Sequence, residues 1–377
     1  MSRAADEAVR ALLGPLLAAR PGPSQWRLLS WDTDQGVTLT LEKGDRRVLV
    51  ELSARDEARP CLTRTARFNL VARRLGEGEV DLGAAERRAV EQLAALLRSR
   101  EARLPVLPRP EASPRAAVRE VEVDRVLVDE GAGRYYVNPY VGCVIGCAFC
   151  WAAEGADLSR SLEGLPTAPW GRWVDVKVNA SAVLRRELAQ HAPGTVRLSP
   201  VVTDPYQPLE RKYRVTRGCL EAMADAGFTP VVLTREARVL EDLDVLRRCP
   251  GAAVGLSIPT DDDAVRAAFE PGASPIAARL DALRRLHAAG VRTFAVVQPA
   301  LPMDAARLVA EVAPFVRAVR VDRMHAVERA RPLYERAGRR DAMTDGFADA
   351  LVRELTAGFA ARGVRVDALD DLAAALG

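Results

Sequence analysis

Residues 141–151 read VGCVIGCAFCW, and three of the six cysteines in the chain, Cys143, Cys147 and Cys150, fall within this stretch. Three thiols on one short loop call for a common partner. Gly142 and Gly146 leave the backbone free to wrap a bulky group and to aim its amides at sulfur. On the residues alone, three readings stand side by side. Structural zinc takes four ligands, usually as two pairs; no fourth lies nearby, and the histidines are His191, His287 and His325. Unrelated buried thiols are a second reading. The third is an iron–sulfur cube held by three thiolates, with one iron left open to a small molecule.

Outward from the loop, strands and helices alternate. RYYVNPY, RWVDVKV, TVRLSPVV, TPVVLT, AAVGLSI, RTFAVVQ and RAVRVD have the apolar, β-branched character of strands. Helical patterns lie between most of them, among them SAVLRRELAQ, RGCLEAMADAG, PIAARLDALRRLHAAG and DAARLVAEVAPFV. Several helices end at a Gly that leads into the next strand. Repeated βα units predict a parallel sheet with helices outside, and place chemistry at the C-terminal strand ends.

Residues 1–115 differ from this pattern. An amphipathic helix is followed by WRLLSWD, GVTLTLE and RRVLVEL, read as a three-stranded meander, and then by a helix over 83–100. The Pro-rich segment LPVLPRPEASP reads as a linker. The expected organisation is an α+β domain over 1–115, suited to substrate or partner recognition, and a barrel domain over 116–377. Such a barrel is expected to keep its fold when the chain begins near Pro114.

The 377 residues carry a net charge of +3, which gives no sign of a nucleic-acid polyanion as partner. Of the 54 basic residues, Lys43, Lys177 and Lys212 alone are lysine. With Arg as the default cation, a retained Lys draws attention for its ammonium chemistry. No apolar run reaches the length of a membrane span, and the charged N-terminal helix is unlike a signal peptide. A cytoplasmic protein is expected, where thiols stay reduced and clustered cysteines mean metal or catalysis.

The CxxxCxxC spacing, with Phe149 just before the last Cys, resembles the radical S-adenosylmethionine (radical SAM) superfamily. The resemblance implies an α/β fold, a partial (β/α)6 barrel of radical SAM type, with the N-terminal α+β domain added to it. It implies a 4Fe-4S cluster on Cys143, Cys147 and Cys150 whose open iron chelates S-adenosylmethionine. Reductive cleavage then gives methionine and a 5′-deoxyadenosyl radical that abstracts hydrogen from the substrate. A reductant such as flavodoxin or ferredoxin is the implied partner. YYVNPYVGCVIGCAFCWA, VVTDPYQPLERKYRVTRGCLEAM and LSIPTDDDAVRAAFEPGASPIAARLDALRRLHAAGV are similar to the spore photoproduct lyase-related branch, over Val118 to Asp322.

Within that resemblance, the strand ends supply the cofactor-binding candidates. No Gly-Gly-Glu element follows the second strand, so Thr203 and Asp204 of TDPYQP are assigned to the methionyl amine, with Tyr206 and Gln207 lining the pocket. Lys177 and Asn179 end the second strand, with Lys177 assigned to the carboxylate. Thr234, Ser257 and Gln298 end the fourth, fifth and sixth strands, where ribose or adenine contacts fall. Glu270 and Arg279 are expected to pair as a brace. No catalytic residue is assigned. The chain departs from the branch in two places. Val201-Val202 stands where the lyase carries a Cys hydrogen donor, and QPALPMD stands where a Gly-Asn-Asp turn is common. The substrate is therefore open among peptide, nucleic acid and small molecule. The alternatives to an enzyme acting on a peptide are lesion repair or modification of nucleic acid and a non-catalytic iron–sulfur regulator.

Overall fold

The computed structural model describes residues 3–18, 25–34, 36–54, 61–75, 82–101, 117–153, 160, 163, 165, 168–198, 202–325 and 327–366. The Pro-rich linker and the end of the chain beyond Val366 lie outside the described residues.

The N-terminal part holds five strands: β1 (Arg27–Asp32), β2 (Val37–Lys43), β3 (Arg46–Ala54), β4 (Thr63–Arg64) and β5 (Phe68–Leu75). They form an antiparallel sheet in the order β1-β2-β3-β5-β4. The sequence reading stopped at three strands. It missed β5, although Phe68 and Leu70 alternate with polar Asn69 there and are buried. Helices Arg3–Ala18 and Ala84–Arg100 add Leu12, Leu13, Val90 and Leu97 to the apolar core made with Leu39, Val50 and Phe68. Period-3.6 stripes on the helices and the period-2 face of the sheet thus close one layer on the other.

Three strands form a small side sheet: β6 (Ala117–Val121), β9 (Tyr140–Val141) and β10 (Trp173–Lys177), in the order β6-β10-β9. The main sheet has eight strands. An antiparallel edge strand, β7 (Leu127–Gly131), pairs with β8 (Arg134–Val137). Parallel neighbours follow in sequence order: β11 (Thr195–Leu198), β12 (Thr229–Thr234), β13 (Ala253–Ser257), β14 (Arg292–Val297), β15 (Ala318–Val321) and β16 (Arg365–Val366). The chain is thus mixed α/β with a parallel sheet, as the βα alternation predicts.

The second strand of that alternation needs correcting. RWVDVKV does not enter the main sheet, because the slot beside β8 is taken by β11, with Thr195 opposite Arg134. β10 instead pairs parallel with β6 and antiparallel with β9. All five of its residues are buried. Its two charges survive there through ion pairs, Arg119 on Asp175 at 2.6 Å and Lys177 on Asp34 at 2.6 Å.

Helices cover the outer face of the main sheet, where Val232, Val254, Leu256 and Val297 pack with Leu220, Leu283 and Leu308. The inner face carries Val231, Ala253, Phe294, Val296 and Ala318. Gly255 lies on that face under the ring of Phe294, which leaves no room for a Cβ. By strand alternation Ser257 continues the Ala253–Gly255 row at the C-terminal end.

A polar seam joins the N-terminal part to the main sheet. Ser30 Oγ donates to the carbonyl of Asp129 at 2.7 Å, and the Tyr136 hydroxyl donates to Asp32 at 3.0 Å. Asn138 and Lys177 both donate to Asp34 Oδ2, at 3.2 and 2.6 Å. Burial works against the charge on Asp34, yet Lys177 holds its carboxyl below the usual range. A chain beginning near Pro114 would lack Asp34, the carboxylate that pairs with Lys177. Lys177→Met is expected to cost roughly 3–5 kcal/mol by leaving a buried charge uncompensated. Lys177→Met combined with Asp34→Asn is expected to recover most of that loss, as read by thermal and urea unfolding.

Candidate cluster and cofactor site

After β8, the bend at Asn138-Pro139 and β9 carry the chain into the cysteine loop. Tyr140 anchors its start. The Tyr140 hydroxyl bonds to Glu210, whose carboxylate also accepts from the N–H groups of Thr216 and Arg217, both at 3.1 Å. Gly142 and Gly146 are left-handed, with φ of 85° and 67°. At Gly142 a Cβ would stand 2.6 Å from the carbonyl oxygen of Trp173, so sterics as well as φ demand glycine there. Cys143 and Cys147 are buried and Cys150 is half-buried. They share an apolar pocket with Ile145 and Ala273, against which Phe149 and Trp170 pack.

Two segments clamp the loop. From the end of β11, Thr203 Oγ1 donates to the carbonyl of Gly142 at 2.8 Å, and Gln207 Nε2 donates to the same oxygen at 3.2 Å. Gln207 Oε1 accepts from the N–H of Val144 at 3.0 Å. From the other side, the N–H of Ala148 donates to Phe269 O at 3.2 Å, and that of Gly272 donates to Ile145 O at 3.1 Å. Gly272 passes so close that a Cβ would lie 2.8–2.9 Å from backbone atoms of Ile145 and Val144.

The donor set fits a cluster. Burial, followed by the charge of Asp204, pushes the Cys143 thiol up to about 12. Burial raises Cys147 well above its ordinary value, opposed by the charge of Arg235. Buried thiols of this kind become thiolates only with a cation beside them, and metal binding then releases their protons. Among the described residues, no group of three or more Cys, His, Asp or Glu side chains is arranged to hold one metal ion. A cube differs in spreading its thiolates over three irons. Ser257 Oγ, buried at the C-terminal end of β13, has no hydrogen-bond partner and is a hydroxyl that a ligand could engage.

The strand-end candidates divide in their placement. Ser257 and Gln298 end strands of the main sheet, and Gln298 Nε2 donates to Asp322 at 2.9 Å. Thr203 and Gln207 hold the cysteine loop. Asp204 is buried and accepts from Thr234 Oγ1 at 2.5 Å, from the N–H of Arg235 at 2.7 Å and from that of Tyr206 at 2.9 Å. Thr234 is thereby engaged as a bridge between two strand ends. Tyr206 is fully buried in the helix-side core, its hydroxyl on Asp242 at 3.0 Å, so it does not line a pocket. Lys177 is engaged by Asp34. Asn179 pairs with Val123 through both backbone groups, at 2.9 Å each. These two residues serve the seam and the side sheet, because β10 lies outside the main sheet.

Sequence reasoning missed Arg235 and Glu236. Arg235 donates through Nε to Glu270 at 2.6 Å and lies over the Phe149 ring, 5.8 Å from its centroid. Glu236 accepts from Ser274 Oγ at 2.7 Å, and burial, then Asp204, raises its carboxyl to about 7. Arg235 was hidden by the abundance of arginine.

The model of the radical SAM superfamily matches residues 137–311, so this part of the chain is similar to a superfamily whose members use a 4Fe-4S cluster and S-adenosylmethionine. An uncharacterized protein of Methanocaldococcus jannaschii is 28% identical over 184 residues, 48% of this chain and 67% of that one. One of Mycobacterium tuberculosis is 32% identical over 174 residues, 45% of this chain and 50% of that one. A radical SAM Nalpha-GlyT isomerase of Pseudomonas phage M6 is 28% identical over 166 residues, 44% of this chain and 33% of its own length. A solved spore photoproduct lyase variant superposes with a TM-score of 0.49 at 16% identity, over 70% of this chain and 87% of that one. No described helix is long and apolar enough to cross a membrane.

Gly272→Ala tests the clamp. The added methyl meets backbone rather than a side chain, so the cysteine loop must shift, at a cost of about 1–3 kcal/mol. Reduced iron per chain after anaerobic reconstitution, together with a lower Tm, is the expected result.

Proposed function

We propose that the chain is a radical SAM enzyme in which Cys143, Cys147 and Cys150 hold the cluster and the C-terminal strand ends of the main sheet hold S-adenosylmethionine. The observation that carries this reading is the cysteine loop itself, with its thiols sharing one apolar pocket between the TDPYQP clamp and the segment 269–272. When bound, the cluster supplies an electron that cleaves the sulfonium and yields a radical able to abstract a substrate hydrogen. The protein's own part is to orient and to keep water out. Thr203 and Gln207 fix the loop, and Ser257 offers an unpaired hydroxyl to the ligand. Asp204 spends its carboxylate on the strand ends, so it positions the loop rather than serving as the sole partner of an amine.

For the substrate, a peptide is favoured over a nucleic-acid lesion. Val202, beside the clamp, is fully buried against Val141 and Trp173, so an apolar residue stands where the lyase resemblance calls for a thiol hydrogen donor. The phage relative is named an isomerase, and a reaction that returns the hydrogen to its substrate is compatible with that gap. The N-terminal sheet, added beside β7, supplies a surface for recognising a partner segment. A reductant of the flavodoxin or ferredoxin kind delivers the electron.

Anaerobically reconstituted protein is expected to carry about four irons per chain and, with dithionite and S-adenosylmethionine, to release 5′-deoxyadenosine. Joint replacement of Cys143, Cys147 and Cys150 by Ala abolishes both signals. Replacement of Cys61, Cys219 and Cys249 leaves the iron in place. A fully loaded, reduced protein that never releases 5′-deoxyadenosine would convert the reading into that of a regulatory iron–sulfur protein.

A further inference from the structure

A buried ion triad lies behind the cysteine loop. Arg235 Nε donates to Glu270 Oε1 at 2.6 Å, and an Arg279 terminal nitrogen stands 2.7 Å from Glu270 Oε2. The side chains of Glu270 and Arg279 are fully buried and that of Arg235 is 14% exposed. Arg279 is further fixed by the carbonyls of Ser274 and Ser257, both at 2.8 Å. Two contacts bring the triad against the cluster ligands. The Arg235 guanidinium covers Phe149, the residue before Cys150. The carbonyl of Phe269, next to Glu270, takes the N–H of Ala148, next to Cys147. Brace duty alone leaves Arg235 unexplained, since Arg279 already pairs with Glu270.

We infer that Arg235 and Glu270 set the reduction potential of the cluster on this loop, Arg235 raising it and Glu270 lowering it. The inference rests on the proposed function and adds the control of that same site. Reduction moves one electron from an external reductant onto the cube, so the cube and its thiolates gain one negative charge. A fixed cation nearby, shielded from water, favours the reduced form, and a fixed anion opposes it. The nearby carboxyls of Asp204 and Glu236 are both raised by burial, and neither is altered in the variants below. Arg235 and Glu270 act through the cluster and need not touch the substrate.

The test is a redox titration of the full-length, iron-loaded protein, followed by the electron paramagnetic resonance signal of the reduced cluster. Arg235→Gln is expected to lower the reduced-to-oxidised ratio at a fixed potential about tenfold, a midpoint shift of ~59 mV for one electron. Glu270→Gln is expected to shift the midpoint by a similar amount in the opposite direction. Arg235→Lys, which keeps the charge, stays near the wild-type midpoint. Midpoints that do not move, or that move the same way in both Gln variants, overturn the inference. So does loss of iron from Arg235→Gln and Arg235→Lys alike, which makes the triad a brace only. A wild-type protein that takes up no cluster is a separate outcome: it overturns the proposed function, and the inference with it.

Discussion

The carbonyl of Gly142 accepts two hydrogen bonds, from Thr203 and Gln207, and the geometry of the cysteine loop follows from this contact. A loop that must wrap a cluster cannot build its own secondary structure, so its buried backbone groups need partners from elsewhere. Gln207 meets this need twice, donating to Gly142 and accepting from Val144. Each bond is worth about 1 kcal/mol net, but a buried group left unpaired costs about 1–3 kcal/mol. The clamp therefore matters most through what its absence would leave exposed. Asp204 extends it by tying the same turn to the end of β12. The loop, β11 and β12 thus form one rigid support, with segment 269–272 closing it from the far side.

This division of labour explains what the sequence could and could not reveal. The cysteine spacing is a local pattern, and thiol chemistry gives it few meanings. The βα alternation is equally local, and β11 to β15 stand where their apolar runs end. Pairing partners are not local. Apolar periodicity says that VDVKV is a buried strand but not which sheet receives it, and the gap beside β8 goes to β11. β10 lies in the side sheet, so Lys177 meets Asp34 at the seam and Asn179 meets Val123. TDPYQP was recognised as a special turn, yet its polar residues face the loop and the neighbouring strand end. A sequence does not distinguish a residue that touches a ligand from one that holds the ligand's cradle.

Arg235 shows a different limit. It follows Thr234 by one residue, just beyond the end of β12. Thr234 was selected as the polar residue ending an apolar run, while its neighbour passed as one more arginine in an arginine-rich chain. Its partner Glu270 was noticed, but with Arg279 alone. The triad joins three segments that are separate in sequence, and only their packing against Phe149 and Ala148 makes it part of the cluster's surroundings.

Lys177 is one of three lysines in the chain, and its ammonium has a site of its own. That site is the seam, where Asp34, 143 residues away, meets it at 2.6 Å with both groups buried. An ammonium is compact and its donors turn freely, so it suits a tight slot with one carboxylate oxygen that Asn138 shares. A guanidinium in the same slot would bring a planar fork of five donors needing partners. The buried pair is a weak source of stability but a strict one of position, because only one placement of the 32–34 turn against β8 and β10 satisfies both charges. The N-terminal sheet is therefore held in register with the strand that leads into the cysteine loop.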